Sequence, residues 1–245
     1  MITSPDNPRV KEVVRLRRSR DRRREGLFVA EGPREVARAK EAGLRLRAVY
    51  HAPALLDWDE GEEVDARVLA KMSYRAEPEG VLAVVEAPRR AVPDDPTLLL
   101  VAVGIEKPGN LGAMARTADA AGADALLVGD ARADPWNPNA IRASAGSVFT
   151  LPILDATREQ VAALRLQKIA AVLGAGAAHT DPDYSRPTAF LVGAEDAGLP
   201  APYRELADAQ VEIPMRGETA DSLNASAAAA VLLFEAARQR TRVRG

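Results

Sequence analysis

Apolar residues recur at helical spacing almost as soon as the chain begins. Val10, Val13 and Val14, with Arg17 a turn further on, follow Asn7-Pro8. Asparagine suits the cap of a helix and proline its first residue, where a missing N–H costs nothing. The spacing predicts one helix with a narrow apolar stripe, ended by Gly26. LFVAEG then reads as strand and turn, PREVARAKEAG as helix, and LRAVYH and GVLAVVEAP as strands. Together they make a small alternating α/β domain over residues 1–90. APRRAVPDDP, with Pro88, Pro93 and Pro96, breaks helix and strand alike and predicts a linker at 91–96.

A second domain is expected over residues 97–245. LLLVAVGI (98–105) is an unbroken apolar run, as in a parallel strand covered on both faces. AMARTADAAG reads as helix, ALLVGD as strand, the region near NAIRASAG as helix and TLPIL as strand. REQVAALRLQ and PYRELA continue as helices, IAAVLGA, AFLVGAE and QVEIPM as strands. The alanine-rich SLNASAAAAVLLFEAARQR closes the chain as a long helix. Strands alternating with helices predict an α/β fold with a mostly parallel sheet and helices on both faces.

Composition narrows the chemistry. The 245 residues are 47% hydrophobic and include no cysteine and only two histidines, His51 and His179. Disulfides, thiolate metal sites, iron–sulfur clusters and a cysteine nucleophile are excluded, and a His-rich metal site is too. No metal is expected. No run approaches the roughly 18 to 20 apolar residues of a membrane span, and MITSPDNPRV lacks the charged start and apolar core of a signal peptide. A cytoplasmic protein without a membrane partner is the expectation.

Net charge is −2, yet residues 1–50 hold 14 basic against 7 acidic side chains. Within residues 9–24 the count is nine against two. Such a block points to a polyanion, most simply RNA or DNA, and makes Arg17, Arg18, Arg20, Arg22, Arg23 and Arg24 the candidate contacts. The plainer reading is a solvated helix face.

Generic nucleotide signatures are missing. There is no GxxxxGK[ST] and no GxSxG, and Gly174-Ala175-Gly176 meets His179 where a dinucleotide fingerprint needs its third glycine. Three stretches at predicted strand ends stand out instead. The first is Glu106-Lys107-Pro108-Gly109-Asn110-Leu111-Gly112, leading to Arg116 one to two turns into the next helix. The second is Gly193-Ala194-Glu195-Asp196-Ala197-Gly198-Leu199, whose glycines allow close backbone approach to a ligand. The third is Ile213-Pro214-Met215, a polar loop, then Ser222-Leu223-Asn224-Ala225-Ser226, with Asp221 or Ser222 as a plain helix cap in the alternative reading. All three fall at one edge of a parallel sheet, where open α/β folds bind ligands.

In order and spacing, PGNLGAMARTADAAGADALLVG, IRASAGSVFTLPI, FLVGAEDAGL and VEIPMRGETADSLNASAAAAVLLFE resemble the motif series of the SpoU/TrmH family of SPOUT RNA methyltransferases. The resemblance covers essentially all of 97–245, while NP with its basic residues, FVAEG and EGVLAVV are similar to that family's substrate-binding domain. It implies a carboxyl-terminal trefoil knot, an exception to the rule of unknotted chains. The amino-terminal domain would resemble certain ribosomal RNA-binding proteins. S-adenosyl-L-methionine would bind in the knot, a homodimer would form through the same domain, and a ribose 2′-hydroxyl would be methylated. Large-subunit ribosomal RNA is favoured over transfer RNA.

Residue by residue, the resemblance makes Arg116 the catalytic arginine and Asn110 its first-motif partner, with Glu195, Ser222 and Asn224 as later polar residues of the same site. Leu173, Gly174, Val192, Gly193 and Gly198 would contact the cofactor, as would Ile213, Pro214, Met215 and Leu223, alongside Glu195, Ser222 and Asn224. One departure is plain: the family's Asp-Pro-x-Asn is here Lys107-Pro108-Gly109-Asn110. A guanidinium is a poor base, so Arg116 is expected to orient the ribose and stabilise developing charge, general-base action requiring strong desolvation. Two other classes stand beside this reading: a catalytically silent RNA-binding protein of the same fold and a nucleotide-dependent metabolic enzyme. Retention of the motif residues disfavours the first, the missing fingerprints the second.

Overall fold

The computed structural model describes residues 1–217, 219 and 221–243. The chain divides into two units, Met1–Arg89 with Asp134–Thr150, and Arg90–Ala133 with Leu151–Gly245.

The first unit opens with α1 (Pro8–Arg15), whose cap forms as the sequence predicts: the Asn7 side chain accepts from the Arg9 N–H at 2.9 Å. The expected single helix to Gly26 is not found. The chain breaks at Leu16–Arg18 and resumes as α2 (Ser19–Glu25), which Gly26 ends at φ 64°. Leu16 is buried, so the turn keeps the apolar stripe inward and lets α2 set off in a new direction. The break also redirects Arg22. Its guanidinium turns inward, donating to the carbonyls of Leu16 and Arg17, both at 2.8 Å, and to Asp134 Oδ2 at 2.6 and 2.9 Å.

Strand β1 (Leu27–Glu31), α3 (Pro33–Glu41), β2 (Leu46–His51), β3 (Glu62–Glu63), α4 (Ala66–Met72) and β4 (Val81–Glu86) follow. The sheet order is β1-β4-β2-β3. β4 runs antiparallel to both its neighbours, so this unit departs from the parallel pattern. β3 and α4 had no place in the sequence reading, although Asp65 caps α4 by accepting from Arg67 N–H at 2.9 Å. A two-residue strand shows no periodicity, and α4 spans barely two turns.

The second unit begins with β5 (Leu98–Val103), α5 (Pro108–Ala120) and β6 (Ala125–Gly129). Between β6 and the next strand of its sheet, the chain forms α6 (Pro138–Ser144) and a short 3₁₀ turn at Ser147–Phe149. These residues, assigned by the linear division to the carboxyl-terminal domain, belong to the first unit. Aromatic packing and charge hold them there. Phe28 of β1 stacks on Trp136 at 4.6 Å and on Phe149 at 5.7 Å, beside the Arg22–Asp134 pair.

The chain then continues through β7 (Ile153–Ala156), α7 (Arg158–Ala162), β8 (Gln167–Ala171), β9 (Thr188–Val192), α8 (Ala201–Arg204), β10 (Ala209–Val211) and α9 (Ala225–Val243). The six strands form one wholly parallel sheet, β10-β8-β9-β5-β6-β7. All six residues of β5 are buried, as its unbroken apolar run predicts. On one face Leu99, Val101 and Val103 cluster with Val161 of α7 and Tyr203 of α8. No side chain of α5 or α9 enters that cluster; these two helices pack against each other and on β5, β6 and β9. Two boundaries differ from expectation. α5 takes in Pro108-Gly109-Asn110, read from sequence as loop, and α9 starts at Ala225 rather than Ser222. No described helix is long and apolar enough to cross a membrane.

Candidate active site

A cavity of about 310 Å³ opens at the carboxyl ends of β8, β9 and β10, the edge where parallel sheets present loops to ligands. The segments after those strands supply its walls. Of the residues the resemblance assigns to the cofactor, Leu173, Val192, Gly193, Glu195 and Gly198 line it, as do Ile213, Met215, Ser222 and Leu223. Gly174, Pro214 and Asn224 do not. Ala171, Leu199, Arg204 and Glu212 line it without having been expected. Ala171 and Glu212 were signalled only by position at a strand end and Leu199 by the second stretch, while Arg204 at the end of α8 had no signal. In the polar loop expected between Met215 and Ser222, Glu218 and Ala220 lie outside the described residues.

The 193–198 loop folds back on itself. Gly198 N–H donates to the Ala194 carbonyl at 2.9 Å, with Gly198 at φ 65°. A side chain on Gly193 would put its Cβ 2.1 Å from the backbone of Gly198. Only glycine permits that approach, so Gly193 is what lets the loop close on itself at the cavity wall.

The three sequence stretches meet at Asn224. Its Oδ1 accepts from Ser226 N–H at 2.9 Å and Ser226 Oγ at 2.6 Å, while its carbonyl accepts from Ala228 N–H at 2.9 Å. Asn224 thus caps α9, and neither Asp221 nor Ser222 does. Capping fixes the amide, whose Nδ2 donates to Asn110 Oδ1 and Glu195 Oε2, both at 3.3 Å. Glu195 Oε2 also accepts from Lys107 Nζ at 3.1 Å. The Lys107 hydrogen bond and charge, with smaller help from Asn110 and Asn224, lower the Glu195 pKa; Glu195 in turn raises that of Lys107. The lysine that departs from the family motif therefore joins the first stretch to the second. Ser222 Oγ donates to Asp221 Oδ1 at 3.3 Å and takes no part in this cluster.

Arg116 stands apart. It is exposed on α5, does not line the cavity and makes no hydrogen bond or ion pair among the described residues. Asn110, Glu195 and Asn224 are brought together; Arg116 is left facing solvent. Among the described residues no group of three or more His, Cys, Asp or Glu is placed to hold a metal ion.

The six basic candidates in the first unit also separate. Arg18, Arg20 and Arg23 are exposed and have no carboxylate partner among the described residues. Arg24 is paired with Asp21 and Glu25. Arg17 donates to the carbonyls of Lys71 and Ser73. Arg22, 3% exposed, is sealed against Asp134 and is withdrawn from the basic face.

A wholly parallel sheet with a cavity at its strand ends, and Glu195 at that cavity bonded to two amides, defines an α/β protein with a ligand-binding edge. Residues 97–234 match the SpoU rRNA Methylase family, and the chain belongs to it. Residues 7–83 match the MRM3-like substrate binding domain. The chain is 30% identical to the 23S rRNA (guanosine(2553)-2′-O)-methyltransferase RlmP of Bacillus subtilis, over 95% of this chain and 97% of that one. Among solved structures, an RNA 2′-O ribose methyltransferase shares 40% identity at TM-score 0.85, covering 98% of this chain and 99% of that one. The SpoU methyltransferase AviRb of Streptomyces viridochromogenes, in complex with AdoMet, shares 30% at TM-score 0.84, covering 96% and 98%.

Proposed function

We propose that this protein transfers a methyl group from S-adenosyl-L-methionine to a ribose 2′-hydroxyl of ribosomal RNA, with the large-subunit RNA favoured. The observation that carries the reading is that Asn110 and Asn224 meet Glu195, which lines the cavity at the carboxyl ends of β8, β9 and β10. The residues fit the cofactor: Ile213, Met215, Leu199 and Leu223 suit an apolar ring system, and Glu195 at the same wall suits its polar groups.

When bound, the cofactor supplies a methyl group on a cationic sulfur. The chain's own part is alignment, which alone supplies much of the barrier reduction in such transfers. Glu195, held ionised by Lys107, puts negative charge at the rim of the cavity. Asn110 and Asn224, tied to Glu195 and to the cap of α9, give the rim a rigid polar frame. Arg116 orients the ribose and stabilises charge developing on its oxygen. The first unit, 1–89 with 134–150, engages the RNA, and the second, 90–133 with 151–245, carries the chemistry.

We further read the carboxyl-terminal domain as trefoil-knotted and homodimeric, in a protein that works in the cytoplasm. Support for the knot is that the segments after β8, β9 and β10 all line one cavity. Support for the dimer is the alanine-rich face of α9 and its Phe234, 50% exposed.

Incubation with methyl-labelled S-adenosyl-L-methionine and unmodified 23S, 16S and transfer RNA, with and without EDTA, tests the function. A 2′-O-methylnucleoside from 23S RNA, unaffected by EDTA, is expected; no label in any RNA would overturn the reading. The Lys107–Glu195 contact adds a pH test. Lys107→Ala lets the Glu195 pKa rise toward the ordinary carboxylate value, so the carboxylate is lost at a higher pH as the solution is acidified. The acid limb of kcat/KM is expected to move upward, and an unmoved limb would remove ionised Glu195 from the reaction.

A further inference from the structure

Among the described residues of the first unit, Tyr74 is the most exposed aromatic ring, and it is held in place. Tyr50, Tyr184 and Tyr203 are buried, whereas Tyr74 is 45% exposed. The turn that carries it is braced from two sides. The buried Glu31 carboxylate accepts from the backbone N–H groups of Tyr74 at 3.0 Å and Arg75 at 3.2 Å. Arg17 donates to the Lys71 carbonyl at 2.8 Å and to that of Ser73. A buried carboxylate committed to two backbone donors fixes the turn, and with it the ring's place at the surface.

The surroundings are basic and partly aromatic. Tyr74 shares one shallow depression with Arg17, Trp136 and Pro138, and another with Arg75 and Arg142. Arg142 is exposed and, among the described residues, its side chain donates to Asn139 Oδ1 alone, at 2.7 Å, while Arg18, Arg20 and Arg23 lie one, three and six residues after Arg17. Three of the nearby acids are turned inward, Glu31 and Glu35 at 5% exposed each and Asp21 at 2%, while the exposed Glu79 is taken up by Arg75 and Glu77 is exposed. An exposed ring beside Arg142, which has no carboxylate partner among the described residues, and beside the basic block that continues from Arg17, fits a polyanion that carries flat bases.

We propose that Tyr74 is a stacking platform for an unpaired base of the RNA, with Arg18, Arg20, Arg23 and Arg142 taking the flanking phosphates. The inference rests on the reading of this chain as an RNA-modifying enzyme and specifies how its first unit engages substrate. Stacking on an aromatic face tolerates any base but needs an unpaired one, so the platform selects loops and single strands over duplex.

The test uses the full chain and its Tyr74→Ala, Tyr74→Phe and Arg18→Ala/Arg20→Ala/Arg23→Ala variants. Binding to a labelled uridine 12-mer and to a 12-base-pair RNA duplex is followed by anisotropy over a salt series. Methyl transfer to transcribed 23S RNA is measured alongside, and cofactor calorimetry confirms that each variant is folded. Tyr74→Ala is expected to weaken 12-mer binding about tenfold at an unchanged salt slope, to leave duplex binding alone, and to lose activity through KM. Tyr74→Phe should retain binding, since the ring and not the hydroxyl acts. The triple arginine variant should flatten the salt slope. A Tyr74→Ala enzyme with wild-type 12-mer affinity and KM, or an equal loss on duplex, overturns the platform while the methyltransferase reading stands. Wild-type protein that neither binds nor methylates any RNA overturns both.

Discussion

Arg116→Ala is expected to reduce single-turnover methyl transfer by at least about 10²-fold, the usual scale for removing a group that stabilises transition-state charge. Cofactor affinity should not change. Arg116 does not line the cavity and has no bond to Asn110, Glu195 or Asn224, so its loss leaves that frame intact. Raising the RNA concentration should not restore the rate, because the missing interaction belongs to the reacting ribose rather than to substrate capture. Single-turnover rates at saturating RNA, with calorimetry of cofactor binding on the same variant, decide the matter. Near-normal transfer would move the catalytic assignment away from Arg116. A parallel loss of cofactor binding would show that the residue shapes the cavity instead.

The other large effect concerns stability. Arg22 and Asp134 are 3% and 6% exposed, their ion pair closes at 2.6 Å, and Arg22 also serves two carbonyls freed by the break between α1 and α2. Asp134→Ala strands a buried guanidinium and removes the acceptor of the Trp136 N–H, now bonded at 2.9 Å. A loss of about 3–5 kcal/mol is expected, the range for breaking one half of a buried pair. Replacing both partners, Arg22→Met with Asp134→Leu, should recover much of it, because no unpaired charge is left behind. Urea denaturation of the three proteins measures this. A single-variant loss below about 1 kcal/mol would mean that the pair is solvated in solution. Arg22 is accordingly a poor choice for probing RNA contacts: its replacement would report on folding.

Local signals were legible from the sequence and held. Asn7-Pro8 predicted the cap and start of α1, and the unbroken run at Leu98–Val103 predicted a strand buried on both faces. In both, the deciding physics lies within a few neighbouring residues: a side-chain oxygen reaching a nearby N–H, or the absence of any polar position to face water. The meeting of the three stretches was legible for a related reason. Asn110, Glu195 and Asn224 each sit next to a strand end or helix start, and a parallel sheet gathers such ends at one edge.

What the sequence did not reveal depends on partners far along the chain. Arg22 stood as one more member of a basic run, and nothing near it marks it for burial; Asp134, 112 residues away, decides that. Residues 134–150 read as part of the second domain because they follow β6 in order, yet Phe28 and Arg22 hold them in the first unit through stacking and charge. Asn224 replaced Asp221 and Ser222 as the cap of α9 while also binding Asn110 and Glu195, three positions brought together by the sheet alone. Residue type and spacing thus determined which elements form and which chemistry their ends carry. Which arginines face solvent, and which loop closes on which, was decided by the tertiary structure, because burial and ion pairing are set by neighbours in space.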